Sequence, residues 1–149
     1  MKDILIREYK DADKQSLIDI LRLNTPQYFS PEEERDLSHY LENEIEYYFV
    51  LELNKQVVGA GGFNFSGDET TGKISWDLVH PDFQGRSLGS MLLKYRIEKL
   101  NAFATVQQIT VRTSQLVYQF YEKAGFELIE IVENYWAKGY HLYKMRYVN

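Results

Sequence analysis

No cysteine occurs among the 149 residues. That excludes disulfide scaffolds, thiolate zinc sites and cysteine nucleophiles together, and leaves the cytoplasm as the default setting. No apolar run is long enough to cross a bilayer, so no membrane partner is expected. The opening MKDILIREYK places charges on both sides of a short apolar alternation, the pattern of a strand and not of a secretory signal. His39, His80 and His141 stand apart without ligand spacing, and no metal is expected. Neither a repeat, a low-complexity tract nor a Pro-, Gly- or Ser-rich linker breaks the chain. A single domain over residues 1–149 follows, long enough to bury one sizeable core.

Positive charge is also scarce. Seventeen Lys and Arg oppose twenty-two Asp and Glu, a net charge of −5, and no strand carries the aromatic pattern of an RNA-binding sheet. A nucleic-acid partner is therefore not expected. The acidity is concentrated: Glu32, Glu33, Glu34, Asp36, Glu42, Glu44 and Glu46 face only Arg35 within residues 31–46. The rest of the chain is close to neutral.

Ile4 and Ile6 alternate with polar neighbours as in a strand, and Asp11 or Asp13 is placed to cap a helix carrying Leu17, Ile18 and Leu21. Ser30-Pro31-Glu32-Glu33 predicts a second helix start, with a capping hydroxyl, a proline at the first turn and a glutamate at the third position. Strands are predicted over residues 47–53, 56–65 and 73–79, forming an antiparallel meander. A helix over 87–101, a strand over 106–112, a helix over 114–124 stopped by Gly125, and strands over 126–132 and 140–147 complete the chain. Antiparallel strands mixed with crossover helices point to an α+β fold with one mixed sheet.

Between the strand ending at Val79 and the helix after it lies His80-Pro81-Asp82-Phe83-Gln84-Gly85-Arg86-Ser87-Leu88-Gly89-Ser90. Such a junction offers unpaired N–H groups and the positive end of a helix dipole, glycines for close backbone approach, and in Arg86 a fixed charge. An ordinary strand-to-helix loop is the competing reading. The segment is neither a P-loop, lacking GK[ST], nor a dinucleotide fingerprint.

Val79 to Leu93 resembles motif A of the GNAT family of N-acetyltransferases, with core Q/R-x-x-G-x-G/A. Gln84, Leu88 and Gly89 match, and Ser87 stands at the usual middle glycine. Ser114 to Phe126 resembles the family's motif B, N-x-x-A-x-x-F-Y-E-K-x-G-F: Phe120 to Lys123 and Gly125-Phe126 match, with Ser114 for the asparagine and Val117 for the alanine. The resemblance implies a three-layer α/β/α fold whose single central sheet is mixed, largely antiparallel and splayed. It also implies an acetyl-CoA-dependent N-acetyltransferase, with direct attack of a primary amine in a ternary complex.

Under that resemblance acetyl-CoA is held by Leu78, Val79, Gln84, Gly85, Arg86, Ser87, Leu88, Gly89, Ser90, Ser114, Tyr118 and Tyr121. Tyr121, by its match to the family tyrosine, is the candidate acid for the departing thiol; a packing role beside Phe120 is the alternative. Asp77, an acid inside a central strand, is the candidate base, against a salt bridge to a neighbouring strand, for instance through Arg112. The amine acceptor, a small metabolite or a protein amine, is expected against Tyr28, Phe29, Tyr135 and Trp136. Tyr135 and Trp136 fall in a predicted loop over 133–140 and form either an acceptor wall or a lid on the core. Some of Glu32, Glu33 and Glu34 are expected to favour cationic amines. A catalytically silent acyl-CoA-binding or partner-binding domain is the alternative function. Pairing through an edge such as 140–147 leaves a homodimer open.

Overall fold

Among the described residues seven strands and four α-helices form in the expected order, with shifted ends. The structure is a computed structural model and describes residues 3–148. Met1, Lys2 and Asn149, which the single-domain expectation includes, lie outside the described residues. In chain order the elements are β1 (Ile4–Glu8), α1 (Lys14–Leu23), α2 (Glu33–Asn43), β2 (Tyr47–Leu53), β3 (Gln56–Phe65), β4 (Thr71–Val79), α3 (Leu88–Asn101), β5 (Gln108–Thr113), α4 (Tyr118–Lys123), β6 (Phe126–Ala137) and β7 (Tyr140–Tyr147).

One sheet takes the order β1-β2-β3-β4-β5-β7-β6. Among the described residues only β4 and β5 pair in parallel, which the crossover through α3 permits; the other pairs are antiparallel. β7 is therefore interior, between β5 and β6, and not the edge expected from the sequence; the edges are β1 and β6. Period-two alternation divides β2 between two cores. Phe49, Leu51 and Leu53 pack against Leu92, Leu93 and Leu100 of α3, whereas Tyr48 and Val50 pack against Leu17, Leu21, Leu37 and Leu41 of α1 and α2. These are the three expected layers. No helix among the described residues is long and apolar enough to cross a membrane.

Three local expectations change. α2 starts at Glu33, and Ser30 does not cap it: the Glu33 carboxylate instead accepts the Ser30 N–H at 2.8 Å, half of the reciprocal box. The helix expected from Ser114 starts at Tyr118, because the Ser114 hydroxyl and carbonyl first close a tight turn by accepting from the N–H groups of Leu116 and Val117. Residues 133–140 are not a loop. β6 continues to Ala137 through a wide bulge, in which Asn134 has φ +55°, and turns at Lys138-Gly139.

Two irregularities open the sheet. β4 pairs with β5 only from Thr71–Gln108 to Ile74–Val111; beyond that the strands diverge, and Arg112 and Thr113 pair with β7 alone. In the other direction Gly62 pairs with Ser75 and Ala60 with Leu78, so Gly61 opposes both Trp76 and Asp77. Trp76 takes φ +47° to fit the extra residue. Positions four apart in a strand share a face, yet across this bulge Ile74 faces the α3 core and Leu78 the α1/α2 core. The same inversion sends Trp76 toward α2 and Asp77 toward α3.

Candidate functional site

The divergence of β4 and β5 leaves a cleft of about 810 Å³. It runs from the start of α3, past the bulge, to the α1–α2 connection. Among the residues singled out by sequence, Asp77, Leu78, Val79, Gln84, Gly85, Ser87, Leu88, Gly89, Ser90, Ser114 and Tyr121 line it together with Tyr28, Phe29 and Trp136. Arg86, Tyr118 and Tyr135 do not. The Arg86 guanidinium lies over the Phe83 ring, 5.1 Å from its centroid, and Tyr118 packs on Tyr143 at 4.9 Å.

At one end the chain is bent to expose amides. Gly85 and Ser87 take φ +76° and +64°, and the first α-helical bond of α3 runs from Met91 N–H to Ser87 O at 3.0 Å. The amides of Leu88, Gly89 and Ser90 precede that bond, so helix geometry leaves them without intrahelical acceptors, at the positive end of the helix dipole. Left-handed residues beside a helix start form a concave array of N–H groups suited to an anion. Gln84, the first residue of the motif, is a brace: its amide nitrogen donates to Asn24 Oδ1 at 2.9 Å and to Val79 O at 3.1 Å. Asn24, which the sequence reading did not single out, is 3% exposed and donates back to Ile20 O and Val79 O. A short polar residue just past a helix end is too common to have marked it.

In the middle of the cleft stand two buried side chains, Tyr121 and Arg96, with the half-buried Asp77 between them. The Tyr121 hydroxyl donates to Asp77 Oδ2, while Asp77 Oδ1 pairs with Arg96 Nη2 from α3. The expected alternative for Asp77, a salt bridge, is thus realised, with Arg96 and not Arg112 as partner. Arg96 is 0% exposed and donates further to Leu92 O at 3.2 Å and Gly62 O at 3.0 Å. Burial, then the Asp77 charge and hydrogen bond, push the Tyr121 phenol well above the ordinary tyrosine range, with Arg96 pulling the other way. Tyr121 therefore keeps its proton at neutral pH. The available signal for Arg96 was its place on the apolar face of α3, four residues after Leu92 and four before Leu100.

The other end of the cleft is aromatic. Phe29 stacks on Trp76, with centroids 6.3 Å apart and an interplanar angle of 18°, and Tyr40 lies 6.4 Å from the same indole. Trp136 Nε1 donates to Thr113 O at 3.0 Å, and the Tyr140 hydroxyl donates to Pro26 O at 2.8 Å, tying the β6–β7 end to the α1–α2 connection. Arg112 donates to the Tyr135 hydroxyl and lies 4.8 Å from that ring and 5.6 Å from Trp136. Trp136 thus faces the cleft while Tyr135 stacks outside it. Glu33 is the one member of the acidic run 31–46 on the lining; burial raises its carboxyl above the usual range. Glu32 and Glu34 face a separate hollow, where Glu34 pairs with Arg22 at 2.7 Å. Among the described residues no group of three or more His, Asp or Glu could hold a metal ion.

The chain is similar to known proteins in sequence and fold. A family model described as the acetyltransferase (GNAT) family matches residues 14–126. An amino-acid acetyltransferase of Pasteurella multocida (strain Pm70) is 30% identical over 93 residues, 62% of this chain and 21% of that protein. The chain thus spans about a fifth of that relative's length. Among solved structures, the ribosomal-protein-S18-alanine N-acetyltransferase of Escherichia coli superposes with a TM-score of 0.79 at 19% identity, covering 97% of this chain and 93% of that one. An aminoglycoside 6'-N-acetyltransferase complexed with coenzyme A gives 0.75 at 17% identity, with 95% of each chain covered.

Proposed function

The chain belongs to the GNAT family of acetyltransferases, and from that premise we propose that it transfers acetyl from acetyl-CoA to a primary amine by direct attack in one ternary complex. The observation that carries this reading is the continuity of the cleft, from free amides at the α3 start, past the buried Tyr121 hydroxyl, to an aromatic end. The residues present fit acetyl-CoA: Gly85 to Ser90 offer N–H groups to its pyrophosphate, and the end of β4 that β5 leaves unpaired, Leu78 and Val79, lies along its pantetheine arm, with Val79 O already accepting from Asn24 and Gln84. Arg86 supplies charge near the pyrophosphate from the loop's outer side, and Ser114 and Tyr118 belong to the segment that flanks the arm.

Tyr121 donates its proton to the sulfur as the C–S bond breaks, giving a free thiol. The proton that nitrogen gives up as the C–N bond forms leaves through water. Tyr28, Phe29 and Trp136 contact the acceptor. Calorimetric titration with acetyl-CoA tests the reading: saturable binding competed by CoA is expected, and no binding would overturn it.

Ser87 occupies a backbone conformation that costs an L-residue about 1–2 kcal/mol and a glycine little. Ser87→Gly is therefore expected to hold stability or raise Tm by about 1–3 °C. It is also expected to bind acetyl-CoA as tightly as the parent or up to about tenfold tighter, by thermal melting and calorimetry.

Glu33 is the group at the aromatic end suited to a cationic acceptor. Glu33→Gln is expected to raise KM for cationic amines about tenfold, the scale of one charge-assisted hydrogen bond, with kcat held. Glu32→Gln and Glu34→Gln, outside the cleft, are expected to leave KM unchanged.

A further inference from the structure

Arg96 carries a full charge into the α3 core with no solvent exposure, and Asp77 is its carboxylate partner. Buried ion pairs seldom stabilise a fold more than well-packed apolar side chains do, so stability is a weak reason for this one. Its surroundings are nevertheless shaped to hold it. The bulge at Trp76 aims Asp77 at α3, and Gly61 opposite leaves the room: a Cβ there would fall within 2.7 Å of Arg96 Nη1 and nearer still to Asp77 Oδ1. Arg96 is held from the far side by Gly62 O and Leu92 O. Both carboxylate oxygens of Asp77 are engaged, one by Arg96 and one by the Tyr121 hydroxyl.

An engaged carboxylate is poorly placed to collect a proton from an amine, but well placed to fix a hydroxyl. Resting on the reading of Tyr121 as the proton donor to sulfur, we propose that Asp77 is a positioning residue that aims and holds the Tyr121 hydroxyl, not the base that deprotonates the amine. Arg96 is the counter-charge of the same device.

The charges explain the third member. The single Tyr121 proton rests on the Asp77 Oδ2 side, so it turns from that oxygen to the departing sulfur as the C–S bond breaks, and a phenolate forms beside the Asp77 carboxylate. Two like charges at hydrogen-bond distance oppose that transfer, and the Arg96 guanidinium offsets this by neutralising one of them. The phenolate then regains a proton from water. The titratable groups facing Tyr121 are Asp77 from β4, Arg96 from α3 and Tyr48 from β2, and Tyr48 is itself a buried phenol whose hydroxyl donates to Trp76 O. The positive member of this set is Arg96.

Steady-state kinetics on Asp77→Asn and Asp77→Ala, each in the parent and in Tyr121→Phe, test the assignment. An asparagine keeps an oxygen that accepts from Tyr121 but cannot serve as a base; an alanine does neither. Asp77→Ala is expected to lower kcat at least about thirtyfold with the acceptor KM held, Asp77→Asn to stay within about tenfold of the parent, and either change to cost less than about threefold once Tyr121 is phenylalanine, because the two residues act as a unit. Equal losses for Asn and Ala, repeated in full on Tyr121→Phe and joined to loss of the acidic limb of the kcat–pH profile, would make Asp77 the base and overturn the proposal. Parent-like kcat in Asp77→Ala would also overturn it, leaving the pair structural. A Tyr121→Phe variant as fast as the parent would instead overturn the reading of Tyr121. Thermal melting and acetyl-CoA titration confirm folding of each variant. Should Asp77→Ala not fold, Asp77→Ala/Arg96→Met removes both charges together, and its kcat in the two Tyr121 backgrounds is read the same way.

Discussion

Replacing Tyr121 by phenylalanine is expected to lower kcat by about 10²–10⁴-fold, the usual contribution of a positioned proton donor, while KM for acetyl-CoA changes little. The hydroxyl is the only polar atom removed, and it lies inside the α3 core cluster, where Tyr121 is 4% exposed. The ring stays edge-on to Phe120 at 5.0 Å and to Phe126 at 5.7 Å, so packing around it should persist. Loss of the hydroxyl also leaves one oxygen of Asp77 without its donor, a moderate stability cost of about 1–3 kcal/mol. Rapid-quench or steady-state thiol release separates the two effects: a true donor loses kcat at temperatures where the variant is fully folded. The direction of pH dependence follows from the same surroundings. Because burial and Asp77 raise the phenol, Tyr121 is protonated across the neutral range, and activity should not fall from loss of its proton until well above pH 10.

Arg96→Met is expected to produce the largest stability loss. Methionine matches the aliphatic stem but leaves the half-buried Asp77 without its counter-charge and frees Gly62 O and Leu92 O. Breaking a buried pair by removing one partner costs about 3–5 kcal/mol, which for a domain of this size lowers Tm by about 10 °C or more. Adding Asp77→Ala removes the orphaned charge and is expected to return part of that loss. Single and double variants melted side by side give the coupling directly. Gly61→Ala should act on the same spot, since its Cβ enters the space held by Asp77 and Arg96.

The order of elements, the layers and the bent loop before α3 were legible in the sequence because each rests on local pattern: the strand alternation of β2, the apolar face of α3, the glycines and Gln84 before it. What local pattern does not encode is where long side chains meet. Arg96 reads as one arginine on a helix, and only a bulge on a different strand brings Asp77 to it. Asn24 likewise becomes visible only when β4 and the Gln84 loop fold back on α1.

The β6–β7 end failed for a different reason. Asn134 and Lys138-Gly139 are turn residues, but here one makes a bulge inside a continuing strand, held by hydrogen bonds to His141 and Gly139. Tyr135 was consequently expected in the cleft, where only Trp136 lies. Local pattern also does not say which few glutamates of the acidic run face the cleft: three-dimensional placement gives it Glu33 and turns the neighbours to solvent or to Arg22 and Lys14.

The most direct measurement of acetyl transfer at this cleft is free-thiol release from acetyl-CoA across a panel of polyamines, aminoglycosides, amino acids and peptides, run on the parent and on Tyr121→Phe. The expected result is acceptor-dependent release by the parent that falls by about 10²-fold or more in the variant. Saturable acetyl-CoA binding with no acceptor-dependent release from any amine class would contradict it and identify a catalytically silent acyl-CoA-binding domain on the same fold.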